Sequence, residues 1–238
     1  MRTVIVALDL SRAFDIVNIG IIMKIILETT LPPKGRQTYV TFRNINSKYR
    51  RVKQGVPQGG VLYPTLFNLY MSRLPLSPEG IKLITFADNC ALLSSITNID
   101  EICSKLNSFL PVVHNCFVSN QLEISPEKST ATLFSTWTKE VKTQLDLVIG
   151  NQNIPKLTRS KILGVTIVNM LTFCAHGKSV QNKMQARTNI LKSLAGSSWG
   201  KDKETLTITY IAIGRSISNY AALIWSPQQA VQLNVPPT

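Results

Sequence analysis

The run Val4 to Leu8 is apolar throughout and ends on Asp9, which predicts a strand buried on both faces with Asp9 at its end. From Arg12 the period changes: Phe14, Val17, Ile21, Ile22, Ile25 and Ile26 recur at helical spacing until Leu31-Pro32-Pro33 stops the pattern. Between Arg36 and Lys53, alternation at Tyr39, Thr41, Arg43, Tyr49 and Val52 predicts a basic hairpin whose turn lies in Asn44 to Ser47. Gly55, Pro57, Gly59 and Gly60 make a flexible loop before an apolar helix from about Pro64 to Leu74, closed by Pro75 and Pro78.

Ile81 to Phe86 and Ala91 to Ser94 then read as two strands of a hairpin with its turn at Asp88 and Asn89. Ile99, Ile102, Leu106, Phe109, Leu110, Val113 and Phe117 mark a long amphipathic helix packed on that sheet. Short strands are expected at Ala131 to Ser135, Leu147 to Ile149 and Ile162 to Ile167. After Asn169 the pattern is helical. Val180, Met184, Leu191 and Leu194 share one face, with Lys178, Lys183, Arg187 and Lys192 around the others. Further helices are expected over Lys203 to Ser216 and Asn219 to Trp225, and the proline-rich end from Ser226 reads as a loose tail.

Composition changes this picture in two ways. The 238 residues carry 26 Lys and Arg against 13 Asp and Glu, a formal charge of +13 that favours a polyanionic partner. No apolar run reaches the length of a bilayer span, the most apolar stretch (Ile19 to Leu27) being interrupted by Lys24, so no membrane partner is expected. Cys90, Cys103, Cys116 and Cys174 show neither Cys-x-x-Cys pairing nor a neighbouring His at zinc spacing. They are expected to be reduced thiols acting as small hydrophobes in a soluble intracellular chain, nucleus and cytoplasm not being distinguished. His114 and His176 have no evident chemical role.

Asp9 at a strand end and Asp88 on a hairpin turn are a pair suited to hard divalent cations, which take oxygen ligands and serve phosphoryl transfer in pairs. Each has a structural explanation by itself: Asp-Asn is a favoured turn dipeptide, and Asp9 can cap the helix that follows.

The order of the motifs adds more. Ala7-Leu8-Asp9-Leu10-Ser11-Arg12-Ala13-Phe14-Asp15 resembles motif A of the reverse transcriptases of non-LTR, LINE-like and jockey-like retrotransposons. Gln54-Gly55-Val56-Pro57-Gln58-Gly59-Gly60-Val61-Leu62 with Tyr63-Pro64-Thr65-Leu66-Phe67 resembles motif B, and Phe86-Ala87-Asp88-Asn89 resembles motif C. Pro126-Glu127-Lys128, Leu163-Gly164-Val165, Leu191-Lys192 and Trp199-Gly200 resemble motifs D and E and thumb segments in the right order. Similarity covers the chain to about Pro227. Group II intron enzymes are the nearest alternative family.

The resemblance implies an α+β fold: a right-hand polymerase palm, an antiparallel sheet backed by helices, over residues 1–168, a small helical thumb over 169–225, and the tail over 226–238. It implies an RNA-directed DNA polymerase that adds nucleotides from dNTPs to a DNA primer on an RNA template with two Mg²⁺ ions. By the same resemblance Asp9, Asp88 and the Leu10 backbone carbonyl hold metal. Phe14 is the steric gate under the sugar, although it also lies on an apolar helix face. Pro57, Gln58 and Gly59 meet nucleotide and template, and Lys128 is the general acid for the departing pyrophosphate. Arg43, Lys48, Arg50, Arg51 and Lys53 would neutralise template and primer phosphates.

Two departures stand out. Motif C ordinarily ends in a second Asp, and this chain has Asn89, which keeps the shape but not the charge. The catalytic set therefore reads Asp9, Asp88, a degenerate Asn89, and Lys128, with reduced or absent polymerisation expected. The chain also starts just before motif A, so the fingers region that the family places upstream is expected to be missing. The alternative function is a non-catalytic nucleic-acid-binding remnant of a decayed element. A metal-dependent nuclease using Asp9 and Asp88 leaves the Pro57-Gln58-Gly59 loop unexplained.

Overall fold

The computed structural model describes residues 2–27, 37–56, 59, 61–137, 140, 142–196 and 200–226. Its helices and strands are interleaved, an α+β arrangement, and they group into two compact units: Met1–Leu133 with Lys142–Leu157, and Phe134–Val141 with Thr158–Thr238.

The first unit is organised by strand β1 (Arg2–Leu10). Val4, Val6, Leu8 and Leu10 are buried while Ile5 and Ala7 are half-buried, so one face is core and the other is only partly covered, not the two buried faces the apolar run suggests. After β1 the chain turns through Arg12 in the left-handed region (φ +46°) into helix α1 (Ala13–Ile16). The expected continuous helix breaks at Val17 and Asn18. Asn18 Oδ1 accepts from the Gly20 and Ile21 N–H groups, starting helix α2 (Ile19–Leu27) with a new side-chain cap. The predicted stop at Leu31 to Pro33 lies outside the described residues.

Next come β2 (Gln37–Thr38), β3 (Thr41–Phe42), β4 (Ile45–Asn46) and β5 (Arg50–Arg51), with β2 paired to β5 and β3 to β4. The turn is Arg43 and Asn44, both at positive φ, one step earlier than predicted. That is the type I′ pattern matching strand twist, and it leaves Ser47 free to bond Val40 across the hairpin.

Helix α3 (Tyr63–Met71), with Pro64 in its first turn, buries Phe67, Tyr70 and Met71. Strands β6 (Ile81–Phe86) and β7 (Asn89–Ile96) complete a sheet ordered β6-β7-β1-β8 with β8 (Ile124–Phe134). Helix α4 (Ile99–Ser119), capped by Asn98 bonding the Asp100 N–H, buries Ile102, Leu106, Phe109, Leu110, Val113 and Phe117, the stripe read from the sequence. Asn107 on α4 accepts from the Val148 N–H and donates to the Asp146 carbonyl, fixing the short β9 (Val148–Ile149) and β10 (Gln152–Asn153) hairpin against the helix. Cys90 faces this core, and burial pushes its thiol up to about 12. Burial also raises the Cys103 and Cys116 thiols, so all three stay protonated at neutral pH.

In the second unit the single strand expected over Ile162 to Ile167 is a hairpin, β11 (Arg159–Ile162) and β12 (Val165–Val168), turning at Leu163 and Gly164. Helix α5 (Cys174–Leu194) follows, then α6 (Lys203–Tyr210), a π-helical turn Ile211–Arg215 and α7 (Ser216–Asn219). A break at Tyr220 and Ala221 precedes a last helical turn over 222–226, so the second expected helix changes pitch and the third starts late. Val165, Phe173, Val180 and Trp225 form the small core, and Tyr220 donates to the Leu163 carbonyl at 2.6 Å. The expected tail beyond Ser226 lies outside the described residues.

His176 is buried here. Its Nδ1 accepts from the Thr166 N–H at 3.3 Å, and its ring lies edge-on to Trp225 at 5.4 Å. Burial first, then the nearby Lys183 charge, lower its pKa below 6.5. As pH falls the unfolded chain takes up this proton before the folded one, so the stabilisation from a neutral His176 is complete above about pH 6.5 and is lost below it. We predict that thermal unfolding shifts to lower temperature from about pH 7.5 to about pH 5.5, and that His176→Gln flattens this dependence. Equal slopes for both proteins would assign the titration elsewhere. In the first unit, Leu106→Ala should cost about 2–5 kcal/mol in urea unfolding, and Val118→Ala, on the exposed flank of α4, less than about 0.5 kcal/mol.

Candidate metal and nucleotide site

β1 and β7 pair antiparallel from Arg2↔Ile96 to Asp9↔Asn89. Directly opposed residues share a face, so Val6, Leu8, Leu92 and Cys90 look into the core while Asp9 and Asn89 face outward together. Asp9 is exposed, one residue inside the strand end. The β6–β7 turn is Ala87 and Asp88, not Asp88 and Asn89, because Asn89 already pairs with Phe86 as the first residue of β7. Ala87 takes φ +52°, a left-handed conformation that carries no signature in an alanine.

Asp88 is thus in the turn, immediately before the residue that faces Asp9. Asn89 Nδ2 approaches Asp88 Oδ1 at 3.5 Å, the outer limit of a hydrogen bond. Among the described residues no three His, Cys, Asp or Glu side chains group as a metal cage. The donors present are two carboxylates, the Asn89 amide oxygen and main-chain carbonyls. They are hard oxygen ligands that fit a divalent cation in kind, with one negative charge fewer than three carboxylates would give.

Ser129, on β8, did not stand out in the sequence. Fully buried, it accepts from the Asp9 N–H at 3.2 Å and donates to the Ser125 carbonyl at 2.8 Å, tying the Asp9 backbone to the neighbouring strand. Only its position after Lys128 pointed to it. Lys128 itself is exposed on the same strand.

Downstream of Asp9, Phe14 is half-buried and stacks on Phe67 with ring centroids 4.4 Å apart. The strip Lys53 to Val56 is fastened to this segment: the Ile19 N–H bonds the Lys53 carbonyl, the Gly55 N–H bonds that of Val17, and the Val56 N–H bonds that of Phe14 at 2.7 Å. Gly55 adopts φ +86° with a Cβ position 3.1 Å from the Asp15 carbonyl, so only glycine fits without strain. Val56, the last described residue before Pro57, is therefore held beside Phe14. Gly59 is at φ +92° with open space around it, while Pro57 and Gln58 lie outside the described residues. Leu10 is buried at the end of β1.

Asp9, one residue inside the end of β1, and Asp88, in the turn before its β7 partner Asn89, are the carboxylates of this candidate site, and comparison with known proteins gives the class of protein. Residues 1–167 match the family described as reverse transcriptase (RNA-dependent DNA polymerase), and the chain belongs to that family. Its curated relatives are of the non-LTR, LINE-like kind. It is 29% identical over 244 residues to a probable RNA-directed DNA polymerase from transposon BS of Drosophila melanogaster, covering 92% of this chain and 26% of that protein. It is 27% identical over 198 residues to the RNA-directed DNA polymerase from mobile element jockey of Drosophila funebris, and 28% over 195 residues to the probable enzyme from transposon X-element of Drosophila melanogaster. Each of these covers 76% of this chain and 21% of the relative. The chain thus spans about a quarter of the length of these relatives. Reverse transcriptases use divalent metal ions, and no helix among the described residues is long and apolar enough to cross a membrane.

Removing the Ser129 hydroxyl should leave the Asp9 N–H without its side-chain acceptor. We predict that Ser129→Ala costs about 1 kcal/mol in denaturant unfolding and that Ser129→Thr restores it. An alanine variant as stable as the parent would show that water replaces the hydroxyl.

Proposed function

We propose that this chain is the palm (residues 1–168) and thumb (169–225) of a non-LTR retrotransposon reverse transcriptase, working on an RNA template, a DNA primer and dNTPs. The observation that carries this reading is the register that sets Asp9 opposite Asn89, with Asp88 in the adjoining turn. Asp9, Asp88 and the Leu10 carbonyl would hold two Mg²⁺ ions. Bound there, the ions would activate the primer 3′-hydroxyl and neutralise charge on the leaving pyrophosphate.

The chain's own residues have separate tasks in this reading. Phe14, braced by Phe67 and by the Val56 hydrogen bond, limits the space under the incoming sugar. Pro57, Gln58 and Gly59 line the nucleotide and template, following the strip Lys53 to Val56 that is held at Gly55. Lys128 protonates the departing pyrophosphate. Basic side chains on the 37–53 hairpin and on α5 meet phosphates irrespective of sequence.

Asn89 is the weak point of this machinery. A unit charge about 4 Å from a cation is worth about 1–4 kcal/mol between water and a protein surface, and a neutral amide gives up most of it. The Nδ2 donor directed at Asp88 Oδ1 also competes with a cation for that oxygen. This observation favours the second reading, a nucleic-acid-binding remnant without catalysis.

Two measurements separate them. Mn²⁺ binding followed by electron paramagnetic resonance should tighten about tenfold or more in Asn89→Asp and vanish in Asp9→Asn. Joined to the upstream region of a jockey-type relative, Asn89→Asp should extend a primer on an RNA template while the parent extends it weakly or not at all. Mn²⁺ affinity unchanged in Asp9→Asn would sink the metal assignment. Equally robust extension by the parent and Asn89→Asp would sink the impairment.

A further inference from the structure

We propose that the hairpin Gln37 to Lys53 is a docking arm for an unpaired nucleic-acid strand, taking bases on its aromatic side chains as well as phosphates on its cations. The inference deepens the nucleic-acid reading above and rests on it.

Among the described residues the arm contributes nothing to either hydrophobic core. Every residue from Gln37 to Arg51 is exposed, including Tyr39, Val40, Phe42, Ile45 and Tyr49, of which the last four are 66–75% exposed. A two-stranded ribbon with nothing packed on either face is marginal in water, so its sequence would ordinarily be polar. Here it is aromatic and basic together. Tyr39 and Tyr49 meet across the hairpin at 4.9 Å and 62°, and the Arg43 guanidinium lies 5.3 Å over the Phe42 ring. The β3–β4 pairing with its Arg43-Asn44 turn, the Thr41 to Asn46 side-chain bond and the Val40 to Ser47 bonds hold these rings in place.

The charge is one-sided. No Asp or Glu occurs between Glu28 and Glu79, while Lys34, Arg36, Arg43, Lys48, Arg50, Arg51, Lys53 and Arg73 fall within that stretch. Among the described residues, none of the arm's five cations is ion-paired. Cations alone would serve any phosphate backbone, duplex or not. Exposed rings among them suit bases that are free to stack, which a duplex keeps inside. The rings therefore select a single strand over a duplex. The arm ends at Lys53, where the chain is fastened to the Phe14 segment, so a strand held here lies on the same unit as Asp9 and Asp88.

The test uses the 238-residue chain, a fluorescent single-stranded oligouridylate of about 12 nucleotides and an RNA duplex of equal length, with fluorescence anisotropy read across a salt series. Replacing Tyr39, Phe42 and Tyr49 together by Ala should weaken single-strand binding about tenfold or more while leaving duplex binding and the salt slope in place. Replacing Arg43, Arg50 and Arg51 by Gln should weaken both ligands and lower the salt slope. Because the triple aromatic variant also removes the Tyr39–Tyr49 contact, the parent is separately photocrosslinked to a 4-thiouridine strand. Crosslinks should map to Tyr39, Phe42 or Tyr49. Parent-like single-strand binding by the aromatic variant, or crosslinks only outside residues 37–53, overturns the docking arm while leaving the nucleic-acid reading intact. So does an aromatic variant that keeps strand binding but loses a self-association seen by sedimentation velocity, since the rings would then meet a second copy. A parent that binds neither ligand overturns both readings.

Discussion

The antiparallel register of β1 on β7 is the constraint on which the first unit depends. Val4, Val6 and Leu8 share the core side with Ser94, Leu92 and Cys90, and Asp9 and Asn89 share the other. A slip of one residue would turn β1 over, moving its buried side chains to the open face and Asp9 into the core. Each large aliphatic side chain so exposed forfeits about 1.5–3 kcal/mol, and a carboxylate taken into the core unpaired costs several more. The apolar residues thereby hold the acidic one in position. A site that contributes little to folding is placed by residues that take no part in its chemistry.

This division explains what was legible in the sequence. The α4 stripe came through because burial writes a period of 3.6 into the chain, whereas β6 and the strand before Asp9 came through as apolar runs, and the alternate burial of β1 was not legible in its run. Turns came through less well. The Ala87-Asp88 turn moved by one residue because an alanine at positive φ has no local signal, whereas Asp-Asn has a strong one. The break at Asn18 was hidden in the same way: apolar positions continue in helical phase on both sides of it, and only the side-chain cap and the bridge from Asn18 to Gln54 divide the helix.

At the candidate site, composition told less than order. Asp9 and Asp88 were visible as carboxylates, but what sets them near each other is the β1–β7 pairing, which brings Asp9 opposite Asn89, 80 positions away in the chain. Phe14 and Gly55 were visible as a ring and a glycine. Their joint setting, a strip from Lys53 to Val56 fastened to the Phe14 to Ile19 segment by main-chain bonds and a φ that excludes other residues, needed the fold. Ser129 had no signal beyond its neighbour, because a buried hydroxyl that bonds main chain looks like any other serine.

The same physics separates Asn89 from the family assignment. Its side chain is on the open face, so exchanging carboxylate for amide changes no core contact and leaves the β1–β7 register intact. A core position would have resisted such a change, because burying a new polar group is costly in itself. The fold makes no demand on the charge at position 89. A chain can therefore retain the whole apolar framework of its first unit whichever charge stands at position 89 of the candidate metal site. The reverse, an intact site on a decayed core, is not available to it.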